Sequence, residues 1–184
     1  MVLTETPICN FGEKAKNFNL ISTENKKISL DDVKGTNGTL IMFICNHCPY
    51  VKAVIKDIVE DVNYLDSLGI KSTAIMSNDV KNYPEDSFEN MITFSNSNNF
   101  SFPYLFDKTQ DVAKSYNAVC TPDFFGYNKN LELQYRGRIR ELKNLKPVGK
   151  GDSDLNIAMK LIASSGKGPK NQIPSMGCNI KWFK

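Results

Sequence analysis

Residues 39–62 read TLIMFICNHCPYVKAVIKDIVEDV. The opening TLIMFIC is a continuous apolar run, the pattern of a parallel strand buried on both faces. Pro49 then opens a helix at a favourable early position. Val51, Val54, Ile55, Ile58, Val59, Val62 and Leu65 recur at helical spacing and make an amphipathic stripe. Gly69 ends that helix, and IKSTAIM, Ile70 to Met76, is a second apolar, β-rich run. Residues 39–76 therefore predict strand, helix, strand, with the two strands parallel. Between the first strand and the helix lie Cys45, Cys48 and His47, the chain's single histidine.

The flanking sequence extends this unit. Pro84, Glu85 and Asp86 read as a helix start, with Phe88, Met91 and Ile92 as its apolar face. FPYLF predicts a short strand and TQDVAKSYNA a short helix. DFFGYNKNLELQYRGRI alternates around Asn128, Lys129 and Asn130, as an antiparallel hairpin does. DSDLNIAMKLIASSG predicts a last helix, capped by Asp152 or Ser153 and stopped by Gly166. This order predicts an α/β, thioredoxin-like fold: a central mixed sheet with helices on both faces. No repeat or linker divides the 184 residues, so residues 1–184 are expected to form one domain, with 166–184 a C-terminal tail.

Composition narrows the function. Twenty-three basic and 20 acidic residues leave a net charge of +3, without a basic stripe, so nucleic acid is not an expected partner. No apolar run approaches a membrane span. The first residues, MVLTETPICNFGEK, lack the basic and apolar regions of a signal peptide, and a cytoplasmic address is expected. Five cysteines, an odd number, argue against a structural disulfide framework there.

Cys-x-x-Cys between a buried strand and a helix is a specific redox signal. Unpaired N–H groups and the positive end of the dipole at a helix N-terminus favour thiolate over thiol. Cys45 is expected at that place and to attack, with Cys48 the shielded resolving thiol. His47 either tunes the pair as a cation or is an exposed loop residue. Two buried structural thiols would be the bland alternative. A zinc site would need about four ligands, and a second ligand pair is missing. Covalent haem attachment requires histidine where Pro49 stands.

FICNHCPYVKAV, CTPDFFGY, YRGRI and the terminal GCNIKW together resemble the thioredoxin-like and peroxiredoxin-like proteins of the AhpC/TSA redoxin superfamily, and NFGEKAKNFNL resembles that family's N-terminal strand region. The resemblance implies a redox domain whose active-site cysteine matches Cys45. It also implies that Thr121-Pro122 is a cis-proline loop lying against the cysteines, where the backbone of Thr121 can pair with a partner's strand.

The departures from peroxiredoxins decide the expected activity. Those enzymes place proline seven, and threonine or serine three, residues before the peroxidatic cysteine. Gly38 and Met42 stand there relative to Cys45, and Ile41 and Cys45 relative to Cys48. Arg136, Arg138 and Arg140 all follow the strand that a peroxide-binding arginine precedes. The expected function is thiol–disulfide exchange with protein or small-molecule thiols and disulfides, served by a thioredoxin-type reductant and using no cofactor and no resident metal. The alternatives are an antioxidant peroxidase and a chaperone binding copper or another soft metal through Cys45 and Cys48. Cys120 is either a third redox thiol or an apolar filler under the loop. Cys178, in a segment read as exposed coil, is either incidental to a tail anchored by Ile180 and Trp182 or a resolving thiol on a mobile tail.

Overall fold

The strand–helix–strand unit forms where the apolar pattern puts it. In the computed structural model, which describes residues 2–184, the chain begins with β1 (Leu3–Glu5), β2 (Asn19–Ser22) and β3 (Lys27–Ser29). The central unit follows: β4 (Gly38–Phe43), α1 (Pro49–Ser67) and β5 (Ile70–Met76). Next come α2 (Phe88–Ser97), β6 (Tyr104–Phe106), α3 (Asp111–Ser115), β7 (Cys120–Thr121), β8 (Asp123–Asn128) and β9 (Leu133–Tyr135). A small hairpin, β10 (Leu142–Lys143) and β11 (Lys146–Pro147), precedes α4 (Asp154–Ser165) and β12 (Met176–Asn179).

Seven strands make the main sheet in the order β3-β2-β6-β5-β4-β8-β9. β4 is parallel to β5 and antiparallel to β8, so it is covered along both edges. Successive side chains of a strand face opposite ways. Leu40, Met42 and Ile44 accordingly join the core beneath α1, α2 and α4, while Ile41 and Phe43 join the core on the α3 face. That is why β4 reads as unbroken apolar sequence. Gly126 on β8 lets α4 approach the sheet, because a Cβ there would collide with Met159 and Tyr135. No helix among the described residues is long and apolar enough to cross a membrane.

Two expectations change, and one left open between two residues is decided. The segment Pro84–Asp86 is a 3₁₀ turn, and α2 begins after Ser87, whose hydroxyl accepts from the Asn90 N–H. Ser153, not Asp152, caps α4, and Gly166 ends it in the left-handed region at φ 73°. The C-terminal segment is not coil. β12 is the middle strand of a second sheet, β1-β12-β7, held antiparallel on both sides. Its pairing buries Cys178 and Ile180, while Trp182 stays 38% exposed, so Ile180 alone of the expected pair is a full anchor.

Candidate active site

Pro49 decides how the cysteine motif is built. Proline is well suited to the first helical position and drives its predecessor out of the helical region. Cys48 is therefore the N-cap of α1, with φ −64° and ψ 123°. Cys45 is not at the helix N-terminus as expected. It lies a full three residues earlier, just past β4, where the Ile44 N–H still bonds to the Ile75 carbonyl as a strand residue would. The helix end thus serves the second cysteine of the motif and not the first. Both side chains are buried.

The Thr121–Pro122 peptide is cis, and its loop abuts both cysteines. Cys45 Sγ is 3.3 Å from the Thr121 hydroxyl, and Cys48 Sγ is 3.1 Å from the Thr121 carbonyl oxygen. β12 closes the other side, pairing Cys178 opposite Thr121. Cys178 Sγ comes within 3.0 Å of Cys48 Sγ. None of the five cysteines is in a disulfide. Cys120 is buried beneath the loop, its thiol 3.6 Å from the Pro122 carbonyl, and burial drives its pKa far up, as suits a packing residue.

The electrostatics follow from the donors. The Cys45 thiol is the largest influence on Cys48 and lowers its pKa; burial opposes it, and the Cys178 thiol and the backbone N–H groups of Val51 and Cys178 lower it further, to about 5. The Thr121 carbonyl favours the protonated form, but one acceptor is outweighed by two S–H and two N–H donors. Burial, reinforced by donation to Cys48, raises Cys45 well above the ordinary thiol range. Burial likewise pushes Cys178 up to about 12, again with donation to Cys48 adding to it. Of the three neighbouring thiols, Cys48 is the one whose pKa is lowered and the other two are raised.

Asp86 is the site residue that the sequence did not single out. Its Oδ1 accepts from the Asn46 N–H at 2.8 Å and the His47 N–H at 3.3 Å. Its Oδ2 is 2.7 Å from His47 Nδ1 and 2.7 Å from Asn78 Nδ2. The hydrogen bond to Asp86 raises the His47 pKa against the effect of burial. Burial alone would raise the Asp86 carboxyl, but His47 and Asn78 hold it below its usual value. His47 is thus no loose loop residue: its ring also stacks on Tyr83, with centroids 5.8 Å apart. Asn78 carries the network onward, its Oδ1 accepting the Lys181 N–H at 2.8 Å, three residues beyond Cys178.

Phe43 packs in the opposite core, whereas Tyr50 lies beside the cysteine motif. With Pro122, Arg138, Arg140 and Met176 it borders a cavity of about 260 Å³ beside the site. All three arginines are already engaged: Arg136 with Asp123 at 2.9 Å, Arg138 with Asp154 at 2.7 Å and Arg140 with Asp57 at 3.0 Å. Cys45, His47 and Asp86 each offer a metal-ligand atom, all within 4.8 Å of one another. A carboxylate has about four lone-pair sites, and Asp86 already spends its two oxygens on four partners. A metal there would have to displace the contacts that shape the loop.

A sheet with β4 at its centre, a cysteine at the start of α1 and a cis-proline loop facing it define a thioredoxin-like protein. The chain belongs to the AhpC/TSA family, whose model matches residues 11–142, and its activity at the coarse level is that of an oxidoreductase. The match stops short of Cys178. A solved structure of an uncharacterized conserved protein from Geobacillus kaustophilus is similar at 38% identity and a TM-score of 0.94, over 100% of this chain and 97% of that one. A hypothetical protein from Sinorhizobium meliloti is similar at 32% identity and a TM-score of 0.89, over 97% of each chain. The thioredoxin domain of a thiol-disulfide oxidoreductase from Bacteroides vulgatus shares the fold, with 17% identity, a TM-score of 0.58, and 73% of this chain and 89% of that one covered. No curated protein matches the chain.

Proposed function

We propose that the protein is a thiol–disulfide oxidoreductase whose attacking sulfur is Cys48. The observation that carries this reading is Cys48 at the N-cap of α1, its sulfur 3.1 Å from Thr121 of the cis-proline loop, among neighbours that lower its pKa to about 5. The Cys48 thiolate attacks one sulfur of a substrate disulfide. A Cys48–substrate disulfide forms, and the other substrate sulfur leaves as a thiolate and takes up a proton. A second thiol of the chain gives up its proton and attacks Cys48 Sγ. The substrate's remaining sulfur leaves, so two protein thiols are oxidised as one disulfide is reduced to two thiols. His47, whose pKa is raised by Asp86 and also by Cys48, favours the thiolate by its charge when it is protonated. Substrates are protein or small-molecule disulfides, and a thioredoxin-type reductant would return the protein to its dithiol form.

Reduction of insulin and of a glutathione disulfide, driven by dithiothreitol, tests this reading. Cys48→Ser is expected to fall to background and Cys45→Ser to keep substantial activity. Equal rates for wild type and Cys48→Ser would refute it.

The family match supports a second reading, peroxide reduction at the same sulfur. It is the weaker one, because each of the three guanidinium groups that could polarise an O–O bond is tied to a carboxylate. Peroxide consumption coupled to a thioredoxin system separates the two.

A further inference from the structure

The backbone edge at Thr121, where an extended partner would be expected to pair, is occupied by the chain itself. β12 runs antiparallel to β7, with Cys178 opposite Thr121 and Asn179 opposite Cys120. The approach is close: a Cβ on Gly177 would run into the Thr121 carbonyl and the Pro122 nitrogen. The strand covers the site so fully that Cys48 is 0% and Cys178 2% exposed. With the strand in place, Cys48 is closed to a substrate and Cys178 is held against its sulfur.

The two candidate resolving thiols are placed differently. Cys45 belongs to a loop pinned by Asp86 through the N–H groups of Asn46 and His47. Its own sulfur is engaged by the Thr121 hydroxyl. Cys178 lies on a four-residue strand whose outer neighbour, β1, has three residues and is largely exposed. The outer β1–β12 pairing is short and solvent-facing, the kind that opens most easily. The Cys48–Cys178 separation of 3.0 Å is about 1 Å longer than a disulfide bond.

We propose that β12 is an internal partner strand, occupying in cis the edge an extended substrate would use, and that Cys178 resolves the mixed disulfide on Cys48. The inference rests on Cys48 being the attacking sulfur. The oxidant is a low-molecular-weight disulfide. Cys48 takes one of its halves and releases the other as a thiolate. Cys178, losing its proton to solvent, then bonds to Cys48 Sγ and releases the second half. The product is a Cys48–Cys178 disulfide that staples the C-terminal strand over the site. An extended polypeptide must compete with β12 for the Thr121 edge, whereas a small disulfide needs only a brief opening.

The reduced full-length protein is treated with one equivalent of an aromatic disulfide whose thiolate is coloured, and the disulfide formed is located by non-reducing peptide mapping. Wild type is expected to release two equivalents of colour and to contain Cys48–Cys178 and not Cys45–Cys48. Cys178→Ser and Cys178→Ala, each checked for folding by circular dichroism, are expected to release the second equivalent at least tenfold more slowly. Mapping of wild type to Cys45–Cys48, or a second release unchanged in both Cys178 variants, overturns the proposal and leaves Cys48 as nucleophile intact. A first release unchanged in Cys48→Ser removes the reading on which it rests.

Discussion

The sulfurs of Cys48 and Cys178 lie 3.0 Å apart although 130 positions separate them in the chain. That contact joins the start of α1 to the C-terminal strand and sets the Cys178 sulfur against the N-cap cysteine. Together with Cys45 it accounts for a cysteine that ionises far below its ordinary range within a buried site.

The first consequence is spectroscopic. Cys48 is lowered from 9.0 to about 5, so it ionises on going up through about pH 5. The ultraviolet thiolate absorbance of the reduced protein should show one step there, and Cys48→Ser should lose it. The step should also vanish on oxidation. A first step near pH 8–9, typical of an ordinary thiol, would contradict the assignment.

Asp86→Asn should act through His47. The single histidine makes its ring resonance unambiguous in an NMR titration. Removing the carboxylate that raises its pKa should move the midpoint down. The sign for stability follows from linkage. The raised histidine contributes stability fully present below its unfolded pKa of 6.5 and lost as pH rises through the folded value. The depressed carboxyl contributes stability present above its unfolded pKa of 3.8 and lost as pH falls through the folded value. The loss of stability in Asp86→Asn should therefore be largest between about pH 4 and 6.5. A histidine midpoint that does not move would show that Asp86 does not tune the ring.

Gly177→Ala should loosen the cover without touching a cysteine. The added methyl meets the backbone of Thr121 and Pro122 and not a flexible side chain. Overpacking of this kind costs about 1–3 kcal/mol, and here the strand can relieve it by separating from β7. Alkylation of the reduced protein at Cys48 should be faster than in wild type, and the melting temperature lower. An unchanged alkylation rate at reduced stability would show that β12 does not gate the sulfur.

Arg136→Met should leave Asp123 as a buried, uncompensated carboxylate. The pair is 2.9 Å apart, with side-chain exposures of 7% and 0%, and the guanidinium also sits 4.4 Å over the Phe125 ring. Removing one partner of such a pair typically costs about 3–5 kcal/mol. Chemical denaturation should register a loss of that size. A change below about 1 kcal/mol would match an exposed pair instead.

Much of the architecture is legible because its signals are local. The apolar run from Leu40 to Cys45 and the stripe from Val51 to Leu65 predict a buried strand and a helix packed on it, and both form. The alternation around Asn128 predicts the β8–β9 hairpin. Pro49 also carried the information that Cys48 caps the helix, since the residue before a proline is driven to extended backbone. Cys45, three residues earlier, therefore lies before the helix end. The network around Asp86 had no local signal, because PED at 84–86 is also a plausible helix start.

By itself the sequence determined the strand–helix–strand core, the cysteine motif at its junction and the thioredoxin-like class, all carried by spacings of a few residues. Only the tertiary structure decided which sulfur is ionised, that His47 meets Asp86, and that Cys178 reaches the site. Those depend on pairings 39 and 130 residues apart along the chain. The reason is physical: periodicity reports which face of an element is buried, whereas a sulfur's charge depends on the donors that sheet register brings to it.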